Sequence, residues 1–276
     1  MTSELRPFSV TIGTLEVKGL KGGAGTPLLL LHGGGSRASH FSGLMDLLSP
    51  SLHAIAYDQR GFGATGARPE DEISHRAWRD DVVAVLDHFE IESATVCGWS
   101  MGAAVALNAA AQYPSRIREV ILLGAPRPDR PVNRAAFQPR LDMVARGASA
   151  AEVGAASFAG AERGFSPWTR AHRVEAIDAV RQEHLAQNAA LLPRIVAGYA
   201  SRPDFAEILP RVMAPVHLIV GADDSVCDES AARMMQQRLS GATLTTVPNC
   251  GHYYAVEQPK ALAELILSRF LSIRDH

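Results

Sequence analysis

The chain has 276 residues, 47% of them hydrophobic, and a formal net charge of −2. That suffices for a full core and leaves no basic or acidic excess for nucleic acid or an anionic membrane surface. Its cysteines, Cys97, Cys227 and Cys250, show no C-x-x-C spacing, so neither a disulfide framework nor a zinc site is expected. The lysines Lys18, Lys21 and Lys260 stand far from the motifs below, which argues against Schiff-base chemistry. The N-terminus has no apolar signal region, and no run reaches the ~20 apolar residues of a membrane span. The expectation is a cytoplasmic protein, monomer or homodimer, without membrane or nucleic-acid partners.

Taken in order, the stretch Phe8–Leu20 alternates about a glycine and predicts a β-hairpin. The run "PLLLLHGG" from Pro27 predicts a strand buried on both faces, as in a parallel sheet. A helix over Ala38–Leu48 and a strand over His53–Gln59 follow. Apolar residues at Trp78, Val82, Val85, Leu86 and Phe89 give a helix to His88 with Ser74 as N-cap. Then come strand Ala94–Cys97, helix Met101–Gln112 and strand Arg118–Pro126. From Arg127 to Pro210 the pattern is helical, rich in alanine and arginine, with no convincing strand. The alternation resumes with strand Ala214–Asp224, helix Asp228–Leu239, strand Ala242–His252 and helix Val256–Leu271. These are βαβ units, an α/β fold with a parallel sheet. The division is a core of residues 1–126 and 211–276, with a helical insertion over 127–210.

Gly98-Trp99-Ser100-Met101-Gly102 is G-x-S-x-G between a strand and a helix. A serine on so tight a turn stands above the C-terminal edge of the sheet, and glycines two residues away on each side relieve the crowding. The helix beginning at Met101 aims its free N–H groups at the serine, so the Met101 N–H can donate to an oxyanion. A serine hydroxyl needs a base, and the base needs a carboxylate. "LIVGADD" places Asp223 and Asp224 just past a buried strand, and "VPNCGHYY" places His252 after the last strand. Both loops fall at the Ser100 edge, where open α/β sheets bind ligands.

With "HGGG" at His32–Gly35, "YDQRGFG" at Tyr57–Gly63, "GWSMG", "GADD" at Gly221–Asp224 and "GHYYAVEQP" at Gly251–Pro259, the chain resembles the α/β-hydrolase superfamily. The likeness is to its enol-lactonase and carbon–carbon hydrolase branch. The resemblance implies a mostly parallel sheet flanked by helices, with the insertion as a cap. It implies Ser100 as nucleophile, His252 as base and then acid, and Asp224 as the carboxylate, with Asp223 a neighbour and Asp129 a lesser alternative. It implies that Gly34 joins Met101 in the oxyanion hole and that His32 and Arg60 are structural.

For substrate binding, Gly35, Trp99 and Trp168 are the candidates. Ser39, His40 and Phe41 are candidates for the rim. In the insertion, Phe158, Phe165, Trp168 and Tyr199 either line a pocket or form a small core. Arg163, Arg170, Arg173, Arg181 and Arg194 either meet a carboxylate or solvate helix faces. The glycine run lacks the Lys-Ser/Thr of a phosphate loop, which argues against a nucleotide. The expected activity is a cofactor-free serine hydrolase acting on a small ester or lactone through an acyl-enzyme. Carbon–carbon cleavage, perhydrolysis and a non-catalytic receptor are the alternatives.

Overall fold

The computed structural model describes residues 4–271, so residues 1–3 and 272–276 of the expected core lie outside the described residues. Eight strands form one sheet in the order β1-β2-β4-β3-β5-β6-β7-β8. They are β1 (Arg6–Ile12), β2 (Leu15–Gly22), β3 (Thr26–Leu31), β4 (Leu52–Tyr57), β5 (Ala94–Trp99), β6 (Ile117–Leu123), β7 (Val216–Gly221) and β8 (Thr243–Val247). The hairpin β1–β2 adds to β4 in antiparallel fashion, and β3 to β8 are parallel. The helices are α1 (Ser42–Leu48), α2 (His75–His88), α3 (Met101–Gln112), α4 (Gln138–Ala145), α5 (Ala150–Ala161), α6 (Pro167–His172), α7 (Val174–Leu185), α8 (Leu192–Ala200), α9 (Phe205–Ile208), α10 (Glu229–Arg238), α11 (Tyr254–Glu257) and α12 (Pro259–Leu271).

Strand periodicity sorts the core into two layers. Leu29, Leu31, Val96, Val120 and Leu122 face α2, α3 and α10, where Trp78, Val82, Ala106 and Met235 are buried. Their neighbours Leu28, Leu30, Cys97, Ile121 and Leu123 face α1 and α12, where Leu44, Met45 and Ile266 are buried. A strand covered on both faces has no place for a polar alternation, which is why β3 reads as a continuous apolar run. Cys97 is a core residue whose thiol is pushed up by burial. The caps follow their sequence signals. Ser74 Oγ accepts from the Ala77 N–H at 3.1 Å, and Asp228 Oδ1 accepts from the Ala231 N–H at 2.9 Å. The expected helix at Ala38 instead begins as a 3₁₀ turn, Ala38–Phe41, and becomes α-helical at Ser42.

The order reverses at β3, with β4 on one side and β5 on the other. At such a reversal the loops leaving the strands diverge and open a crevice at the C-terminal edge. The loops after β3, β5, β7 and β8 carry His32–Gly35, Ser100, Asp224 and His252 to that edge. The segment between β6 and β7 contributes α4 to α9 and, among the described residues, no strand.

Alanines let α3 lie close to the sheet, and the closest approach is at Gly102. A Cβ there would fall 2.2 Å from the Leu31 carbonyl oxygen, a backbone atom that cannot swing aside. Gly102→Ala is expected to destabilise the fold by about 1–3 kcal/mol or more, read as a lower denaturant midpoint.

Candidate active site

Ser100 sits between β5 and α3 with φ 54° and ψ −110°. A left-handed backbone at a residue with a Cβ costs on the order of 1–3 kcal/mol unless its surroundings impose it. Here they do. The Ser100 N–H donates to the Leu123 carbonyl at 2.9 Å, and its carbonyl accepts from the Ala103 N–H at 3.1 Å. The turn is so tight that a Cβ on Gly98 would lie 2.2 Å from the Gly102 carbonyl oxygen. The Met101 N–H, at the first position of α3, precedes any intrahelical acceptor.

Asp224, in the loop after β7, is 4% exposed, whereas its neighbour Asp223 is exposed. Both Asp224 oxygens are fixed. Oδ1 accepts from the Val226 and Cys227 N–H groups at 2.8 Å each. Oδ2 accepts from the Tyr254 hydroxyl at 2.7 Å and from His252 Nδ1 at 2.9 Å. Because an ionised carboxylate only accepts, a proton sits on His252 Nδ1, and Nε2 is the ring nitrogen that Asp224 does not engage. Burial pushes the Asp224 carboxyl up, but His252 and the hydrogen bonds from His252, Cys227 and Tyr254 outweigh it. The carboxyl lies below the ordinary aspartate value. Asp129 takes no part: it is paired with Arg127.

The histidine is held from three sides. Trp99 Nε1 donates to the His252 carbonyl at 2.7 Å, and the His252 N–H donates to the Gly164 carbonyl at 2.7 Å. The third restraint is Glu257, 1% exposed at the end of α11. Its carboxylate accepts from the Gly251 and Tyr253 N–H groups on either side of His252 at 3.0 and 2.9 Å. It also accepts from the Ser166 N–H at 2.9 Å and Thr169 Oγ1 at 2.8 Å, in the segment between β6 and β7.

Ser100, Met101, Gly34, Gly35, Trp99 and His252 line one cavity of about 590 Å³, roofed by α4, α5 and α8. Asp224 stands behind His252, outside the lining. Trp168, expected at the wall, is not there: its indole stacks on His172 with ring centres 5.0 Å apart. The other aromatics of the segment divide. Phe165 stacks on Tyr253 at 4.4 Å and Phe158 is buried, while Tyr199 reaches the cavity. Of the five arginines named from the sequence only Arg163 lines it, and Arg140 and Arg202 do so as well. His32 and Arg60 are framework. His32 Nε2 accepts from the Gln59 N–H at 2.9 Å, and Arg60 grips Asp81 with two hydrogen bonds of 2.6 and 2.5 Å.

Besides His40, named from the sequence for the rim, several residues that position the site carry no sequence signal. Ser36 Oγ donates to Glu183 of α7 at 2.6 Å, and His40 Nδ1 lies 3.2 Å from the same carboxylate. The His40 ring stacks on Trp99 at 4.3 Å, so it supports the floor of the cavity and does not form its rim. Gln187 Nε2 donates to the Gly35 carbonyl at 2.9 Å. His184 lines the cavity beside Ser157, and burial lowers it to about 4, so the ring is neutral at pH 7. Polar pairs of this kind join residues far apart in sequence, and only the folded chain brings them together. Among the described residues no group of three or more His, Cys, Asp or Glu could hold a metal ion.

A model of the alpha/beta hydrolase family matches residues 28–265. The 2-hydroxymuconate semialdehyde hydrolase of Pseudomonas sp. (strain CF600) is 28% identical over 266 residues, spanning 88% of this chain and 86% of that protein. Among solved structures, a thermophilic esterase from Thermogutta terrifontis superposes with a TM-score of 0.83 at 23% identity, covering 98% and 94% of the two chains. The enol-lactonase from Burkholderia xenovorans LB400 gives 0.78 at 19% identity, covering 98% and 97%. At these identities the structural matches establish the α/β-hydrolase fold.

Glu257→Ala would orphan three buried backbone N–H groups. It is expected to cost at least about 3 kcal/mol of stability, measured by denaturant unfolding. Asp224, whose native carboxyl is held below its unfolded value, contributes stability that is present above the unfolded pKa of about 4. That contribution disappears as pH falls through the native value. The gap in unfolding free energy between the wild type and Asp224→Asn is therefore expected to be flat from neutral pH to about 4 and to shrink below it.

Proposed function

This chain belongs to the alpha/beta hydrolase family, and from that membership we propose that it is a cofactor-independent serine hydrolase of small-molecule esters or lactones. The observation that carries the proposal is the buried Asp224–His252 pair at 2.9 Å, whose imidazole shares a cavity with a serine on a strained strand-to-helix turn. His252 Nε2 takes the Ser100 proton as Oγ attacks the acyl carbon. Asp224 keeps the ring in the required tautomer and stabilises the imidazolium that forms. The developing oxyanion is held by the N–H groups of Met101 and Gly34, each worth about 10²–10³ in rate. His252 then protonates the leaving oxygen and an acyl-enzyme remains. Water, deprotonated by His252, releases the acid in a second tetrahedral step. Nucleophile, base and orienting acid are all side chains, so the reaction needs no cofactor.

The segment over 127–210 serves as a cap in this reading. It roofs the cavity with both apolar residues, such as Phe137, Leu192 and Ile195, and polar ones, such as Arg140 and Tyr199, and such a roof limits water and selects substrate shape. Trp99 and Gly35 line the acyl side. The similarity to a 2-hydroxymuconate semialdehyde hydrolase favours a second reading, hydrolysis of a carbon–carbon bond next to a ketone.

The test is hydrolysis of p-nitrophenyl acetate alongside a panel of alkyl esters, enol-lactones and vinylogous diketones. The wild-type protein is expected to turn over esters or lactones, and Ser100→Ala to lose about 10⁴-fold or more in kcat. Turnover of the diketones alone would establish the second reading. Undiminished turnover by Ser100→Ala would refute both.

A further inference from the structure

A polar group of the cap stands at the glycine loop without a hydrogen-bond partner among the described residues. Tyr199, on α8, has its ring wedged between Trp78 and Phe137, with centroids 5.7 and 5.4 Å away. The wedge leaves the phenol one direction, toward the loop after β3. A Cβ at position 34 would lie only 2.4 Å from the Tyr199 hydroxyl oxygen, so the phenol occupies the space that any larger residue at 34 would need. Tyr199 and Gly34 line the same cavity as Ser100, Met101 and His252. Among the described residues none accepts a hydrogen bond from the Tyr199 hydroxyl. Tyr199 is half-buried: its ring is packed and it lines the cavity, so the acceptor left for the phenol is what occupies that cavity, water in the free protein and substrate in the complex. Burial holds the phenol above its ordinary pKa, with Arg140 pulling the other way, so it remains a protonated donor through neutral pH.

We propose that Tyr199 is a catalytic residue, a third donor that the cap adds to the two backbone N–H groups around the acyl oxygen of the substrate. This rests on the serine-hydrolase reading above. The phenol forms no covalent bond and gives up no proton. Its hydrogen bond to the carbonyl oxygen strengthens as that oxygen becomes an oxyanion and relaxes when the acyl-enzyme forms. The arrangement explains two facts together: why position 34 is glycine, and why a cap helix reaches into the core loop. It also makes the third donor dependent on the cap being seated.

Ester hydrolysis by the full chain tests this. Tyr199→Phe keeps the ring and removes only the hydroxyl, and thermal unfolding checks that it folds. It is expected to lower kcat by about 10²-fold with KM little changed. The affinity of a trifluoromethyl ketone, which mimics the tetrahedral state, should weaken by the same factor. Gly34→Ala displaces the phenol from the loop, so in that background Tyr199→Phe should have almost no further effect. A wild-type kcat in Tyr199→Phe, a change in KM alone, or full additivity of the two substitutions would overturn the inference. Ser100→Ala in the same assay separates the two failures. If it is inactive while Tyr199→Phe is fully active, the inference alone fails. If it is active, the serine-hydrolase reading fails too.

Discussion

The left-handed turn at Ser100 is the constraint on which the rest of the structure depends. A serine with φ 54° is held there because β5 and α3 leave the chain no other course. The glycines at 98 and 102 permit approaches that a methyl group would block, one to the helix and one to the Leu31 carbonyl. The long alanine stretch of α3 keeps the helix on the sheet. The cost of the strained residue is thus spread over packing and hydrogen bonds that form whether or not a ligand is present. A hydroxyl raised above a parallel sheet in this way meets the loops of every neighbouring strand.

Buried carboxylates organise those loops. Asp224 orients an imidazole, Glu257 ties both flanks of His252 to the segment between β6 and β7, and Glu183 ties that segment to Ser36 and His40. A carboxylate in a low-dielectric interior is tolerated when its lone pairs are filled, and each of these has several partners. The same bonds that satisfy the charge fix the cavity wall. Burial also keeps His184 neutral inside the cavity. His184 therefore adds no charge to a cavity whose lining already holds Arg140, Arg163 and Arg202.

The sheet was legible because its strands are buried on both faces and bounded by glycine, as at Leu28–Leu31 and Val96–Trp99. Helix α3 was read to the residue, Met101–Gln112, since alanine and leucine follow a sharp turn signal. Strand ends were read long. The run from Pro27 continues apolar to its glycines, but the ladder stops at Leu31. Place after a strand points to His252 and to the pair Asp223 and Asp224, and the resemblance selects Asp224; the structure has Asp224 2.9 Å from His252. The segment over 127–210 was legible as helical and no further. Composition does not say which way a helix turns its residues, so it suggests Trp168 for the cavity and gives no sign of Arg140 or His184, which line it. Glu257 lies in the quoted "GHYYAVEQP" and still gave no signal, because its partners come from residues far away in the sequence.

The proposed function rests on one claim: the reactive atom of this protein is Ser100 Oγ, activated by His252. The most direct measurement is peptide mapping by mass spectrometry after reaction with a fluorophosphonate. The account predicts a single phosphonyl adduct on Ser100 of the native chain, and none at that residue in a folded His252→Ala variant. An adduct on another residue, or a native chain that does not react, would contradict it.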